Sequence, residues 1–270
     1  MSRRRRRRER RQRRQAYINF AIAAALIAGG FVAFQLIKPP PFDERTLCLV
    51  SDDQPPHTAI ILDKTDEYDE AQASLIADLV RRTRERLDVG ERLTLFELDA
   101  EGRFDPRGEF SLCNPGRGVQ VNPLFRNPAM IEERYETLFE GPMDAVLDDL
   151  VTPKEAPSSP ILEAIARLAQ TENFSEDVPT RKIVIVSDML QNSDMFSAYG
   201  GGGQMPANMP SAAEVSKLAE DRFGNRLRGV DVEIRLIPRG QYTDIQRGAL
   251  KDYWNDVFAD LGVRADWRDL

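Results

Sequence analysis

The chain has 270 residues, 30% of them charged, with 37 Lys and Arg against 44 Asp and Glu, a single His and two Cys. One histidine, His57, with no Ser or Cys at catalytic spacing argues against a histidine-based triad or a histidine-rich zinc site. Ten Arg fall in residues 1–15, and from residue 39 onward 26 basic residues face 43 acidic ones, a balance that disfavours nucleic acid or an anionic surface as the partner of that part.

Residues 1–15, MSRRRRRRERRQRRQ, form an Arg-rich tail, and residues 16–37, AYINFAIAAALIAGGFVAFQLI, carry no charge. At about 1.5 Å per residue a helix over 16–37 reaches roughly 33 Å, enough for a hydrocarbon core of about 30 Å. This predicts one transmembrane helix. A cleaved signal peptide shares the basic start and the apolar run, but the KPPPFDE that follows has no small-x-small cleavage site. Arg beside a span marks its cytoplasmic side. The expectation is therefore an inner-membrane anchor with its N-terminus in the cytoplasm and the rest of the chain in the periplasm.

Residues 38–57 read as a linker with a short lead-in strand, opening on three consecutive prolines that favour extended geometry. Cys48 and Cys113 both fall in the exported part. In an oxidising compartment they can pair, and closing a loop of about 65 residues would stabilise the domain by up to roughly 4 kcal/mol. Two buried free thiols are the other reading.

The domain proper is expected over 58–270. Ala59 to Leu62 is an apolar run that reads as a strand buried on both faces, and it ends in Asp63, with Asp66, Glu67, Asp69 and Glu70 close behind. His57 just before it reads as a solvated turn residue. A helix from about Ala71 to Leu87 is closed by Gly90, and strands at 93–98 and 109–113 are close enough in sequence to pair antiparallel. An acidic helical region spans 127–150, broken at Gly141 and Pro142. Ser159 reads as an N-cap and Pro160 as the first residue of a helix with Ile161, Leu162, Ile165 and Leu168 on one face. The strand RKIVIV ends in Ser187 and Asp188; a Gly-rich loop, a helix at 211–223, a strand at 230–238 and a helix at 243–261 complete the pattern. Such alternation predicts an α/β, doubly wound, mostly parallel sheet with an antiparallel edge strand, whose ligands lie beyond the carboxyl ends of the strands.

Three segments meet at that end, and with them residues 58–262 resemble a von Willebrand factor A domain. The family's metal-ion-dependent adhesion site begins with Asp-x-Ser-x-Ser after the first strand, adds a Thr ahead of a helix, and ends with an Asp after the fourth strand. Here Asp63 and Thr65 stand for the Asp and the first Ser, Glu67 replaces the second Ser, Ser159 stands for the Thr, and Asp188 for the final Asp. The resemblance implies a Mg²⁺ or Mn²⁺ ion held by Asp63, Thr65, Glu67, Ser159 and Asp188, since a hard divalent ion takes oxygen ligands. Glu67 adds charge; turned inward it would fill the position a partner's carboxylate takes, and turned outward it would leave the site one ligand short.

The implied function is non-enzymatic: a recognition or assembly component binding a protein partner in the cell envelope, without nucleic acid; the sequence does not set its oligomeric state. A metal-independent scaffold of the same fold is the alternative. A hydrolase using Asp63 as phosphoryl acceptor would need an acid two residues on, where Thr65 stands. CNPGRG at 113–118 lacks the Lys of a phosphate loop.

Overall fold

The computed structural model describes residues 3–37, 41–65, 68–98, 110–123, 126–150 and 158–270. The chain divides into two compact units, Met1–Pro41 and Phe42–Leu270. The first is one helix, α1 (Arg3–Ile37), within which Arg13–Val32 is long and apolar enough to cross a membrane. The helix includes most of the Arg-rich tail, in keeping with the good helix propensity of Arg.

The second unit is built on six strands: β1 (His57–Asp63), β2 (Arg92–Leu98), β3 (Phe110–Cys113), β4 (Arg181–Ser187), β5 (Asp231–Leu236) and β6 (Arg264–Asp269). Their order is β3-β2-β1-β4-β5-β6. Only the β2–β3 pair is antiparallel. The sheet is thus mostly parallel with one antiparallel edge strand, as the alternation of elements predicts. β1 lies between two parallel neighbours and is buried along its whole length, which is why its sequence runs apolar instead of alternating.

Successive side chains of β1 enter opposite cores. Ala59 and Ile61 join Ile183 and Ile185 of β4 under α5 (Ile161–Leu168), α6 (Ala212–Phe223) and α8 (Ala249–Asp260), where Trp254 and Phe258 stack. Ile60 and Leu62 face α2 (Glu70–Arg86) and the region of α3 (Pro128–Tyr135) and α4 (Gly141–Leu150), meeting Ile76, Val80, Tyr135, Phe139 and Met143. α5 is buried on nearly every side.

Several local expectations are corrected. The acidic helix is not broken at Gly141–Pro142. α3 (Pro128–Tyr135) continues through a π turn, Glu136–Glu140, into α4 (Gly141–Leu150). The Gly141 N–H reaches back five residues to the Glu136 carbonyl, so the wider turn accommodates Pro142, which has no N–H to give. α2 ends at Arg86, well before Gly90; its N-cap is Asp69, which forms a capping box with Gln72. The final helix is two, α7 (Thr243–Arg247) and α8, parted at Gly248, whose ψ of −111° is not helical. Beyond it β6, RADWRD, is a strand the sequence pattern did not single out, because charges occupy alternate positions of an exposed edge.

Cys48 and Cys113 form a disulfide, with Cα atoms 4.8 Å apart. Cys113 pairs with Arg92 in the β2–β3 ladder, so the bridge ties the lead-in segment to the edge strand. His57 is no solvated turn residue: it opens β1 and is buried. Its Nδ1 lies 2.7 Å from the Asn173 carbonyl, which can only accept, so Nδ1 carries the proton and Nε2 accepts from the Thr94 hydroxyl at 2.7 Å. Ser111 lies 2.9 Å from Thr94 and extends the chain of hydroxyls toward Arg92. Burial holds the imidazole neutral, its pKa lowered to about 4.

Candidate functional site

β1 and β4 are neighbours whose connections leave in opposite directions, so their carboxyl ends frame the switch point of the sheet. The register sets Leu62 beside Val186, which brings Asp63 and Ser187, one residue further on each strand, to the same edge. Asp63 is the centre of the arrangement. Its Oδ1 accepts from the Thr65 hydroxyl at 2.6 Å and the Thr65 N–H at 3.2 Å. Its Oδ2 accepts from the Ser187 hydroxyl at 2.7 Å and the Ser159 hydroxyl at 3.1 Å. Three hydroxyls from three segments far apart in sequence thus converge on one buried carboxyl. Burial raises its pKa above the usual 3.8, while the bonds from Ser187, Thr65 and Ser159 oppose the rise.

The supports are local. Tyr68 donates its hydroxyl to the Asp63 carbonyl. Ser159 is fixed by a two-way backbone bridge to Asn192, with both N–O distances 2.9 Å. It does not cap α5: Pro160 sits at the cap position, and Gln191 accepts the Leu162 N–H at 2.9 Å instead. Gln191 is wholly buried and also donates to Glu163 at 2.7 Å and Ser193 at 2.8 Å. This frees the Ser159 hydroxyl to face Asp63.

Ser187 is the residue sequence reasoning did not assign to the site. It donates to Asp63 and accepts the Met189 N–H at 2.8 Å. Met189 has φ of +60° and gives its carbonyl to the Trp254 indole at 3.0 Å. A left-handed non-glycine residue held from both sides is strain of the kind found where a loop must aim neighbouring groups. Once β1 and β4 are paired, their register alone finds Ser187.

Asp188 is buried beside this cluster but is differently engaged. Oδ1 accepts the Leu190 N–H at 2.8 Å and Oδ2 lies 3.3 Å from Nε of Arg239. Gln246 fixes both loops, accepting the Arg239 N–H at 2.8 Å and donating to the Asp188 carbonyl at 2.7 Å. Next to Asp63, Lys64 is buried with its ammonium 3.4 Å from Glu97. Glu67 and Asp66 lie outside the described residues, so the site is built here from Asp63, Thr65, Ser159, Ser187 and Asp188.

The donor set suits a hard divalent ion in one respect: it offers oxygens only, around a buried carboxyl that burial makes avid for a counter-charge. Arg239 sets the condition, since a guanidinium already neutralises Asp188 and a second cation there would compete with it. Among the described residues no group of three or more His, Cys, Asp and Glu is clustered as metal ligands.

The strand order, the antiparallel β2–β3 pair and a first-strand Asp ringed by hydroxyls at the switch point stand together. The fold is the one that the resemblance to a von Willebrand A domain implies. No family model matches the sequence, and no curated protein does. Among solved structures, the chain is similar to the conserved hypothetical protein BatB from Bacteroides thetaiotaomicron, at 14% identity over 79% of this chain and 90% of that one, with a TM-score of 0.36. It is similar to the pilus adhesin SpaC from Lactobacillus rhamnosus GG, at 10% identity over 82% of this chain and 28% of that one, TM-score 0.43. A third is proximal thread matrix protein 1 of the mussel byssus, described with a zinc-occupied MIDAS motif: 13% identity, 81% of this chain, 43% of that one, TM-score 0.36.

Proposed function

We propose that this von Willebrand A-like domain is a protein-interaction module held at a membrane, a recognition or assembly component that engages a partner through the carboxyl end of its sheet. The observation that carries the reading is the convergence of the Thr65, Ser159 and Ser187 hydroxyls on Asp63. A fold needs no such arrangement at a strand end, and it gathers three loops into one face. In this reading residues 1–15 are a cytoplasmic tail, 16–37 span the inner membrane, 38–57 link, and 58–270 form the interaction domain in the periplasm. The apolar helix and the Cys48–Cys113 disulfide support that topology.

Asp63, Thr65, Ser159 and Asp188, with Ser187 and Glu67 alongside, would hold a Mg²⁺ or Mn²⁺ ion, which when bound would supply a Lewis-acidic position for a partner's carboxylate. The chain's own part is to keep two carboxylates buried, to aim the hydroxyls, and to release Arg239 from Asp188.

Two measurements test the reading. In crosslinking of the full-length protein in its native membrane, Asp63→Asn and Asp188→Ala should each lose a partner that the unaltered protein captures. Titration with Mg²⁺ or Mn²⁺ should release heat and raise the melting temperature in the unaltered protein but not in Asp63→Ala. Retention of the partner by both variants would discard the proposed face, whereas absence of a metal response alone would leave a metal-independent module of the same kind.

A further inference from the structure

The two faces of the sheet are covered unequally. On one, α5, α6 and α8 pack under β1, β4 and β5. On the other, the core under α2 and the α3–α4 region takes in Ile60, Leu62, Val184 and Val186, but no residue of β5 or β6. There β5 alternates Val232, Ile234 and Leu236 inward with Asp231, Glu233 and Arg235 outward. A cleft of about 450 Å³ opens over this half, between the C-terminal part of α2 and strands β4 to β6. It sits near the starts of β1 and β4, at Thr58 and Lys182, away from Asp63.

The lining is cationic, in a domain that is acidic as a whole. Arg82, Arg86, Lys182, Arg235 and Arg268 face the cleft with only two carboxylates, Glu91 and Glu233. Both carboxylates are already committed. Glu91 accepts from the Thr58 hydroxyl at 2.6 Å and the Asp88 N–H at 3.0 Å. Glu233 is bound by Lys182 at 2.7 Å and by Arg235 at 2.5 Å. Arg82 and Arg86, one turn apart on α2, have no ion-pair partner among the described residues. Arg235 Nε is buried with no acceptor, and a buried donor of this kind calls for one.

We infer that this cleft is a second binding site, for an acidic peptide segment of a partner protein. Planar guanidinium groups match carboxylates two bonds at a time, and the cleft's size lies within the range of ligand sites, about 300–1,000 Å³. Consecutive Asp or Glu side chains can meet Arg82 and Arg86 on one wall and Nε of Arg235 on the other, beside Arg268, which Asp266 already holds at 2.9 Å. The site is independent of the Asp63 face and stands or falls separately from it.

The test uses full-length protein in detergent micelles and a hexaglutamate peptide carrying a fluorophore and a photo-crosslinker. The Arg-rich tail also attracts such a peptide, so crosslinks are mapped by mass spectrometry. Crosslinks are expected in residues 79–91 and 231–236, and Arg82→Gln with Arg86→Gln should weaken that component at least tenfold while leaving the melting temperature unchanged. Arg235→Gln should weaken it as well. Crosslinks confined to residues 1–15, or an affinity unchanged in the double variant, would overturn the inference. Inorganic phosphate displacing the peptide at equal concentration would overturn the peptide assignment and mark a general anion site.

Discussion

β1 begins at His57 and ends at Asp63, and the two ends of this one strand are organised in opposite ways. Both residues are buried and titratable, and at both burial favours the neutral form. His57 has one partner for each ring nitrogen, both in the surrounding framework, and a disulfide closes off the edge nearby through Cys113. Asp63 instead gathers hydroxyls from loops, with a neighbouring carboxylate neutralised by a side chain from another loop. The first network has nothing to exchange. The second is built from groups that can trade a hydrogen bond or an ion pair for a ligand, at the end of the sheet where open α/β folds bind.

The contrast can be broken from the fixed end first. Reducing the disulfide, or replacing Cys48 and Cys113 with Ser, should cost about 4 kcal/mol by the loop-closure relation, measured as a lower urea midpoint with and without reductant. Acid should act almost as strongly. His57 takes a proton at about 4 in the folded chain and at 6.5 once unfolded and solvated, so the unfolded chain binds the proton first. The stability due to His57 is complete above 6.5 and is lost as pH falls toward 4, a loss of about 3 kcal/mol. Urea midpoints between about pH 7 and pH 4 should show this slope, and His57→Gln should flatten it. Asp63 has the opposite sign: its raised pKa makes the folded state lose stability as pH rises above 3.8.

At the exchangeable end the effects are smaller. Ser187→Ala removes one donor to Asp63 and the acceptor for Met189, and should lower stability by about 2 kcal/mol in thermal denaturation while diminishing any divalent-ion response. Arg239→Gln removes the competing cation from Asp188 and should tighten Mg²⁺ binding by about tenfold, the equivalent of a modest partly exposed ion pair, read by calorimetry. If Arg239→Gln bound Mg²⁺ no better than the unaltered protein, the ion pair would belong with the fixed framework and the contrast between the two ends would narrow.

Much of the fold is legible in the sequence because apolar runs of strand length and helical recurrence are local signals. β1, β4 and the antiparallel β2–β3 pair stand where the residues imply. β6 is not legible: its charges alternate on an exposed edge, and only hydrogen bonding to β5 makes it a strand. At the candidate site, the resemblance to a von Willebrand A domain picks out Asp63, Thr65, Ser159 and Asp188, and Thr65 and Ser159 each hydrogen-bond to Asp63. Capping roles are misleading. A Ser before a Pro reads as an N-cap, yet Gln191, more than twenty residues later, takes that task.

The sequence by itself determined the strands from β1 to β5, that the N-terminal helix is apolar and flanked by Arg, and that a carboxylate stands at the end of each central strand. These follow from composition and periodicity over a few residues. Only the tertiary structure decided that Ser187 faces Asp63, that Arg239 meets Asp188, that His57 is buried and neutral, and that one half of a sheet face is left as a cationic cleft. Each of these depends on strand order and register, which set the neighbours of a side chain across gaps of 50 residues or more, and no local pattern encodes them.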